Sequence, residues 1–105
     1  MLNIPQVMSA EVISTIKLGL SPELMEYDSA NDSIYVISDD ETVSVIDGKT
    51  NKVVKNITGD TDVWTSGVTY DSANDRMYIS SDVSEEITII EGNNDTVKKL
   101  AIGDT

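Results

Sequence analysis

The chain repeats itself, and this internal repeat constrains its fold more than any other feature of the sequence. Residues 27–32, with the sequence Tyr-Asp-Ser-Ala-Asn-Asp, recur as residues 70–75 at a spacing of 43 positions. Later matches, such as Gly48 with Gly92, lie at a spacing of 44, so one residue is inserted in the second copy. The sequence therefore predicts two units of the same structure, over residues 19–59 and 60–105.

Each copy predicts four short β-strands. The expected strands lie at 24–27, 33–37, 42–46 and 52–57 in the first copy, and at 67–70, 76–80, 86–90 and 96–102 in the second. They are rich in Val, Ile, Thr and Tyr, which favour strands, and turn-forming Asp, Asn, Ser and Gly lie between them. We expect Gly48 and Gly92 to supply a positive backbone φ in the turn before each fourth strand. No stretch shows helical periodicity, so the expected class is all-β.

Apolar residues point to both faces of the expected central strands. Ile34 and Val36 point one way, and Tyr35 and Ile37 point the other way. A sheet with one face in water would alternate more cleanly between apolar and polar residues, so we expect both faces to be covered. Four strands in a repeat of 43 or 44 residues are typical of a β-propeller blade. The expected fold is therefore two four-stranded antiparallel β-propeller blades.

Two blades do not close a propeller, because such rings contain about 4–8 blades. The exposed blade faces must be covered either by further blades of a longer chain or by identical chains. Among rings of identical chains, we expect a homotrimer first and a homotetramer second, because head-to-tail contacts form a ring when the rotation closes.

The N-terminal residues predict one element more than two blades need. Residues 1–10 show no pattern and are expected to be a tail. Residues 11–18 resemble the fourth strand over 52–57 and predict an extra strand. That strand suits the edge of a preceding blade, so we expect it to be swapped or displaced in an assembly, or to be a remnant of a longer chain.

The repeat resembles a known family. The sequence over 27–36, followed by that over 42–54, is similar to the YVTN-type β-propeller repeat. The family's Tyr-Val-Thr-Asn stretch is Tyr-Val-Ile-Ser at 35–38 and Tyr-Ile-Ser-Ser at 78–81, so the last two positions depart from it. The resemblance covers roughly residues 12–105. It implies the propeller fold and an extracellular or cell-surface location, as in archaeal and bacterial surface-layer proteins, and it carries no catalytic motif.

Composition excludes several classes of function. The chain has 7 Lys and Arg against 19 Asp and Glu, a net charge of −12, whereas binding to a nucleic-acid backbone requires basic residues. It has no His and no Cys, which excludes Ser–His–Asp and Cys–His catalysis and the usual zinc sites. No apolar run reaches the about 18 residues of a membrane helix, and no signal peptide is visible. We therefore expect a non-enzymatic scaffold or interaction module with no cofactor.

Acidic residues are predicted to concentrate at one end of the blades, where the loops between second and third strands meet the connections between blades. The candidates for binding a ligand or partner there are Asp39, Asp40, Glu41, Asp60, Asp62, Asp82, Glu85 and Glu86. Such a surface attracts cations or a basic protein. Asp39, Asp40, Asp60 and Asp62 offer the oxygen ligands that Ca²⁺ prefers, so a calcium-binding propeller in a hydrolase or lyase is the alternative function. The same acids also fit a role in solubility alone.

Trp64 is the only tryptophan, and the other copy has no aromatic residue at its position. It lies in the expected connection between the blades, so it is a candidate contact for a sugar, a peptide or a cation. The alternative, which we favour, is that its ring covers the seam between the blades. A Trp64→Ala variant separates the two, because loss of the fold supports the seam and an intact fold supports a binding contact.

Overall fold

The computed structural model describes residues 10–18, 21–40, 42–57, 65–81 and 85–102. These ranges contain eight β-strands and no helix. The strands are β1 (Pro22–Asp28), β2 (Ser33–Ser38), β3 (Val43–Asp47), β4 (Lys52–Ile57), β5 (Thr65–Asp71), β6 (Arg76–Ser81), β7 (Glu86–Glu91) and β8 (Val97–Ala101). They are the eight strands that the repeat predicts, so the all-β class is confirmed. Within the described ranges, no helix is long and apolar enough to span a membrane.

The strands form two four-stranded antiparallel sheets. The N-terminal sheet has the order β1-β2-β3-β4 and the C-terminal sheet has the order β5-β6-β7-β8. The first three strands of each sheet pair in corresponding registers, since Tyr35 lies opposite Val45 in one sheet and Tyr78 lies opposite Ile89 in the other. The outer pairs differ, because the pairing of β3 with β4 shifts between Val45 and Ile46 and that of β7 with β8 does not. The repeat in the sequence is therefore a repeat in the structure, because each strand pairs with its neighbour along the chain.

One hydrophobic core lies between the two sheets. Its buried residues are Tyr35, Ile37, Val43, Val45 and Ile57 from the N-terminal sheet and Met77, Ile79 and Ile90 from the C-terminal sheet. Ile37 and Met77 are each only 1% exposed. Between the sheets, the backbones of β1 and β5 come closest. The two sheets therefore converge at their first strands.

The extra N-terminal strand that the sequence predicts over 11–18 is not formed. Residues 10–18 belong to no strand, and Val12 and Ile13 are 85% and 84% exposed. A strand needs an open edge to pair with. Both sheets are built without this segment, from strands that are neighbours along the chain. Residues 10–18 therefore add no ninth strand to the two sheets of the single chain, and the pairing of this segment in an assembly stays a prediction; residues 1–9 of the tail lie outside the described ranges.

Gly48 and Gly92 do not have the positive φ that their turn sequence predicts. In this turn, the residues with left-handed backbone are Asn51 (φ 59°) and Asp95 (φ 56°). The glycines are needed for space instead. A Cβ atom on Gly92 would overlap the carboxylate of Asp75, and one on Gly48 would overlap Asp32 in the same way.

Candidate interaction surfaces

The repeated Asp-Ser-Ala-Asn-Asp sequence folds as a turn that its first aspartate closes. Asp28 is fully buried, and its Oδ1 accepts hydrogen bonds from the backbone N–H groups of Ala30 (3.0 Å) and Asn31 (3.2 Å). Burial works to raise the pKa of Asp28, but hydrogen bonds from Asn31, from Tyr70 and from the turn backbone outweigh it and lower that pKa. The carboxylate therefore acts as a structural acceptor inside the turn.

Asn31 connects this turn to the C-terminal sheet. Its Nδ2 donates to Oδ2 of Asp75 at 3.1 Å and to the carbonyl oxygen of Gly92 at 3.2 Å. Asp75 is held in place by the hydroxyl of Tyr70, which donates to its Oδ1 at 2.7 Å. Burial and the hydrogen bonds to Asp75 and Asp28 raise the pKa of Tyr70, so its hydroxyl remains a donor. One amide group thus links the turn of one sheet to the other sheet.

A second polar link lies beside the apolar core. The hydroxyl of the buried Tyr35 donates to Oδ1 of Asp95 at 2.5 Å, and Nζ of Lys55 lies 3.2 Å from Oδ2 of the same aspartate. Burial and the contact with Asp95 raise the pKa of Tyr35. A hydrogen bond to a charged group contributes about 1.5–3 kcal/mol, whereas the half-exposed Lys55 adds about 0–1 kcal/mol. The tyrosine is therefore the stronger part of this link.

The two sheets pack through faces that are not equivalent. Tyr35 and Ile37 of the N-terminal sheet meet Met77 of the C-terminal sheet in the core. At the repeat spacing of 43, Tyr35 and Ile37 correspond to Tyr78 and Ser80. These two residues alternate with the buried Met77 and Ile79 along β6, so they lie on its opposite face. The sheets are therefore stacked head to tail, and within the described ranges the other face of each sheet, here called its free face, packs against no further sheet.

The free face of the N-terminal sheet carries the counterparts of core residues. Met25 is 65% exposed and Tyr27 is 48% exposed. Their counterparts in the C-terminal sheet, Val68 and Tyr70, pack against the core. The hydroxyl of Tyr27 also donates to Asp32 at 3.0 Å, which reproduces the tyrosine–aspartate pair of the other sheet. Val36 and Ile46 lie on the same face and are buried, so the exposed apolar part of this face is the β1 side, at Met25 and Tyr27.

The free face of the C-terminal sheet contains a cavity of about 320 Å³. It is lined by Gly67, Val68, Thr69, Tyr78, Ser80 and Ile87. The cavity has a simple origin in the repeat, because Gly67 and Ser80 stand where the first copy has Leu24 and Ile37. Leu24 and Ile37 both pack into the core, so the second copy lacks two apolar side chains at these positions.

The structure describes only some of the acidic residues that the sequence predicts as a binding surface. Trp64, Glu41, Asp60, Asp62 and Asp82 lie outside the described ranges. Asp39 and Asp40 are exposed in the turn after β2, while Glu85 and Glu86 lie at the start of β7. The hydrogen bond and the charge of Asp39 raise the pKa of Glu23, so two carboxyl groups lie side by side at this end.

Among the described residues, no group of three or more His, Cys, Asp or Glu side chains is arranged to hold a metal ion. Asp60 and Asp62, half of the predicted calcium ligands, are outside those residues. The calcium site and the acidic binding surface therefore remain predictions.

The residues that join the sheets are absent from the sequence-based candidates. Asn31 and Tyr35 each recur in the second copy, so the repeat shows that they matter to the fold. It does not show that their partners lie in the other sheet. Met25 and Gly67 could have been found by alignment of the two copies, since both positions differ in size from their counterparts.

No protein-family model matches the chain, and no curated protein matches it. The argument for function therefore rests on the sheets and their free faces. Membership of the YVTN-type repeat family remains a prediction from the sequence.

Proposed function

We propose that the chain is a non-enzymatic β-propeller scaffold whose two blade-like sheets assemble with further copies of the chain into a closed ring. The observation that carries this proposal is the head-to-tail stacking of the sheets through non-equivalent faces. A contact of this kind is heterologous, because it joins two different surfaces. An assembly that grows by this contact therefore always presents one free face of each kind at its two ends. Sheets paired through equivalent faces would leave no complementary surfaces.

The convergence of β1 and β5 favours a ring over a filament. The two sheets are closest at their first strands, β1 and β5. The rotation that superposes one sheet on the other therefore has its axis on the side of these two strands. Repetition of this rotation closes the assembly, as in a propeller. Two sheets per chain give six blades in a homotrimer, which we favour, and eight blades in a homotetramer.

The free faces also carry the polar groups that the contact needs. Within the chain, Asn31 of the N-terminal sheet donates to Asp75 of the C-terminal sheet. Their counterparts are Asn74 and Asp32, and these lie on the opposite sheets. In a head-to-tail pair of chains, Asn74 of one copy therefore faces Asp32 of the next. The bond that joins the sheets within the chain has the same partners available between chains.

Multi-angle light scattering after size-exclusion chromatography tests the proposal. We expect a mass of about three chains of 11.4 kDa each. An Asn74→Ala variant should lower the proportion of the assembly, because it removes the donor to Asp32. Ser72→Ala is the matched control, since Ser72 is exposed in the same turn. A folded protein with the mass of one chain at all concentrations would refute self-assembly.

A further inference from the structure

We propose that Met25 of one copy inserts into the cavity at Gly67 and Ser80 on the C-terminal sheet of the next copy, and that this contact selects the partner face. The inference rests on the proposed ring, and it names the residues that give the ring contact its specificity. Its occupant is a second copy of this chain, because the contact continues the interface that already joins the two sheets.

The contact within the chain shows where the two surfaces meet. Leu24 on β1 and Val68 on β5 both pack against the shared core, and Leu24 lies opposite Ile37 of β2. These are the strands at which the sheets come closest. A second head-to-tail contact places the counterparts of these residues together. Gly67 is the counterpart of Leu24, Met25 of the next copy is the counterpart of Val68, and Ser80 is the counterpart of Ile37.

The side chains at these positions differ in size from their counterparts in the core, and the difference is opposite on the two free faces. The C-terminal sheet has lost bulk, since Gly67 replaces a leucine and Ser80 replaces an isoleucine, and a cavity results. The N-terminal sheet has gained length, since Met25 stands where Val68 stands in the other copy. An unbranched methionine is 65% exposed in the single chain and reaches further than valine. A projecting side chain on one face thus matches a depression on the other.

The lining of the cavity suits a thioether. Its walls include Tyr78 and Ile87, and an aromatic ring makes favourable contacts with methionine sulfur. Burial of an exposed methionine also removes apolar surface from water, which favours association. The geometry favours entry of the side chain, because Gly67 presents no Cβ, and the position that a Cβ would take lies close to Oγ of Ser80 (3.1 Å) and to no other atom outside the neighbouring residues.

A four-way comparison of full-length variants tests this inference by sedimentation equilibrium. Met25→Val should weaken assembly about tenfold because the cavity stays partly empty, and Gly67→Leu should weaken it as much because leucine occupies the site. The double variant has the leucine and valine that stand at the corresponding positions, 24 and 68, within the chain, so it should recover to within about threefold of the original. Val54→Ala is the control, as Val54 is 61% exposed on the outer strand β4.

The outcomes separate this inference from the proposed function. A monomeric original protein would overturn both, whereas assembly that Met25→Val leaves unchanged would overturn only the contact of Met25. Circular dichroism checks that each variant folds, and Ser80→Ile replaces Gly67→Leu if the latter does not. In the original protein, the ¹³C methyl resonance of Met25 should shift on assembly because of the ring of Tyr78. A resonance that is identical in dilute and concentrated samples would contradict the proposed contact.

Discussion

Replacement of Ile37 by alanine tests whether the two sheets fold around one shared core. Ile37 is 1% exposed and packs in the cluster to which both sheets contribute. The change removes three carbon atoms at about 0.8 kcal/mol each, or about 2.4 kcal/mol in total. The cavity left behind raises the cost to about 3–4 kcal/mol. A chain of 105 residues has a free energy of unfolding of about 5–15 kcal/mol, so this loss is large.

Urea denaturation followed by circular dichroism, at one fixed protein concentration, measures the loss. Amide hydrogen exchange then locates it, and protection should fall in β6 and β7 as well as in β2 and β3, because the core is shared. Val54→Ala on β4 is the control and should change stability by less than about 0.5 kcal/mol. A loss below about 1 kcal/mol for Ile37→Ala, or unchanged exchange in the C-terminal sheet, would refute a common core.

Two further predictions concern the turns that join the sheets. The folded-state pKa of Asp28 is lowered, so its contribution is present above the usual value of 3.8 and is lost as the pH falls through the folded value. Asp28→Ala should cost about 1.5–3 kcal/mol at pH 7 and reduce the loss of stability in acid, as urea titrations from pH 7 to 2 would show. Gly92→Ala should cost about 1–3 kcal/mol because its Cβ would meet Asp75, and thermal denaturation measures this; an unchanged midpoint would contradict the tight approach.

The strands were predictable because their determinants are local. Alternating Val, Ile and Tyr predict strands, and turns rich in Asp and Asn separate them, in two copies that support each other. The segment 11–18 has the same local character and forms no strand in the single chain, because local preference does not by itself supply a pairing partner. Gly48 and Gly92 show a similar limit. Their turn was evident from the sequence, but the need for space beside an aspartate arises from contacts across the turn.

The sequence alone determined the order of the eight sheet strands and the division into two similar units. It did not determine which faces of the sheets meet, because Ile34 and Val36 are as apolar as Tyr35 and Ile37 on the other side of β2. Only the tertiary structure decided this, by placing the tyrosine face of one sheet against the Met77 face of the other. The reason is physical: alternation along a strand tells two faces apart only when one of them is polar. That choice of faces leaves one surface of each kind free, and the proposed assembly depends on it.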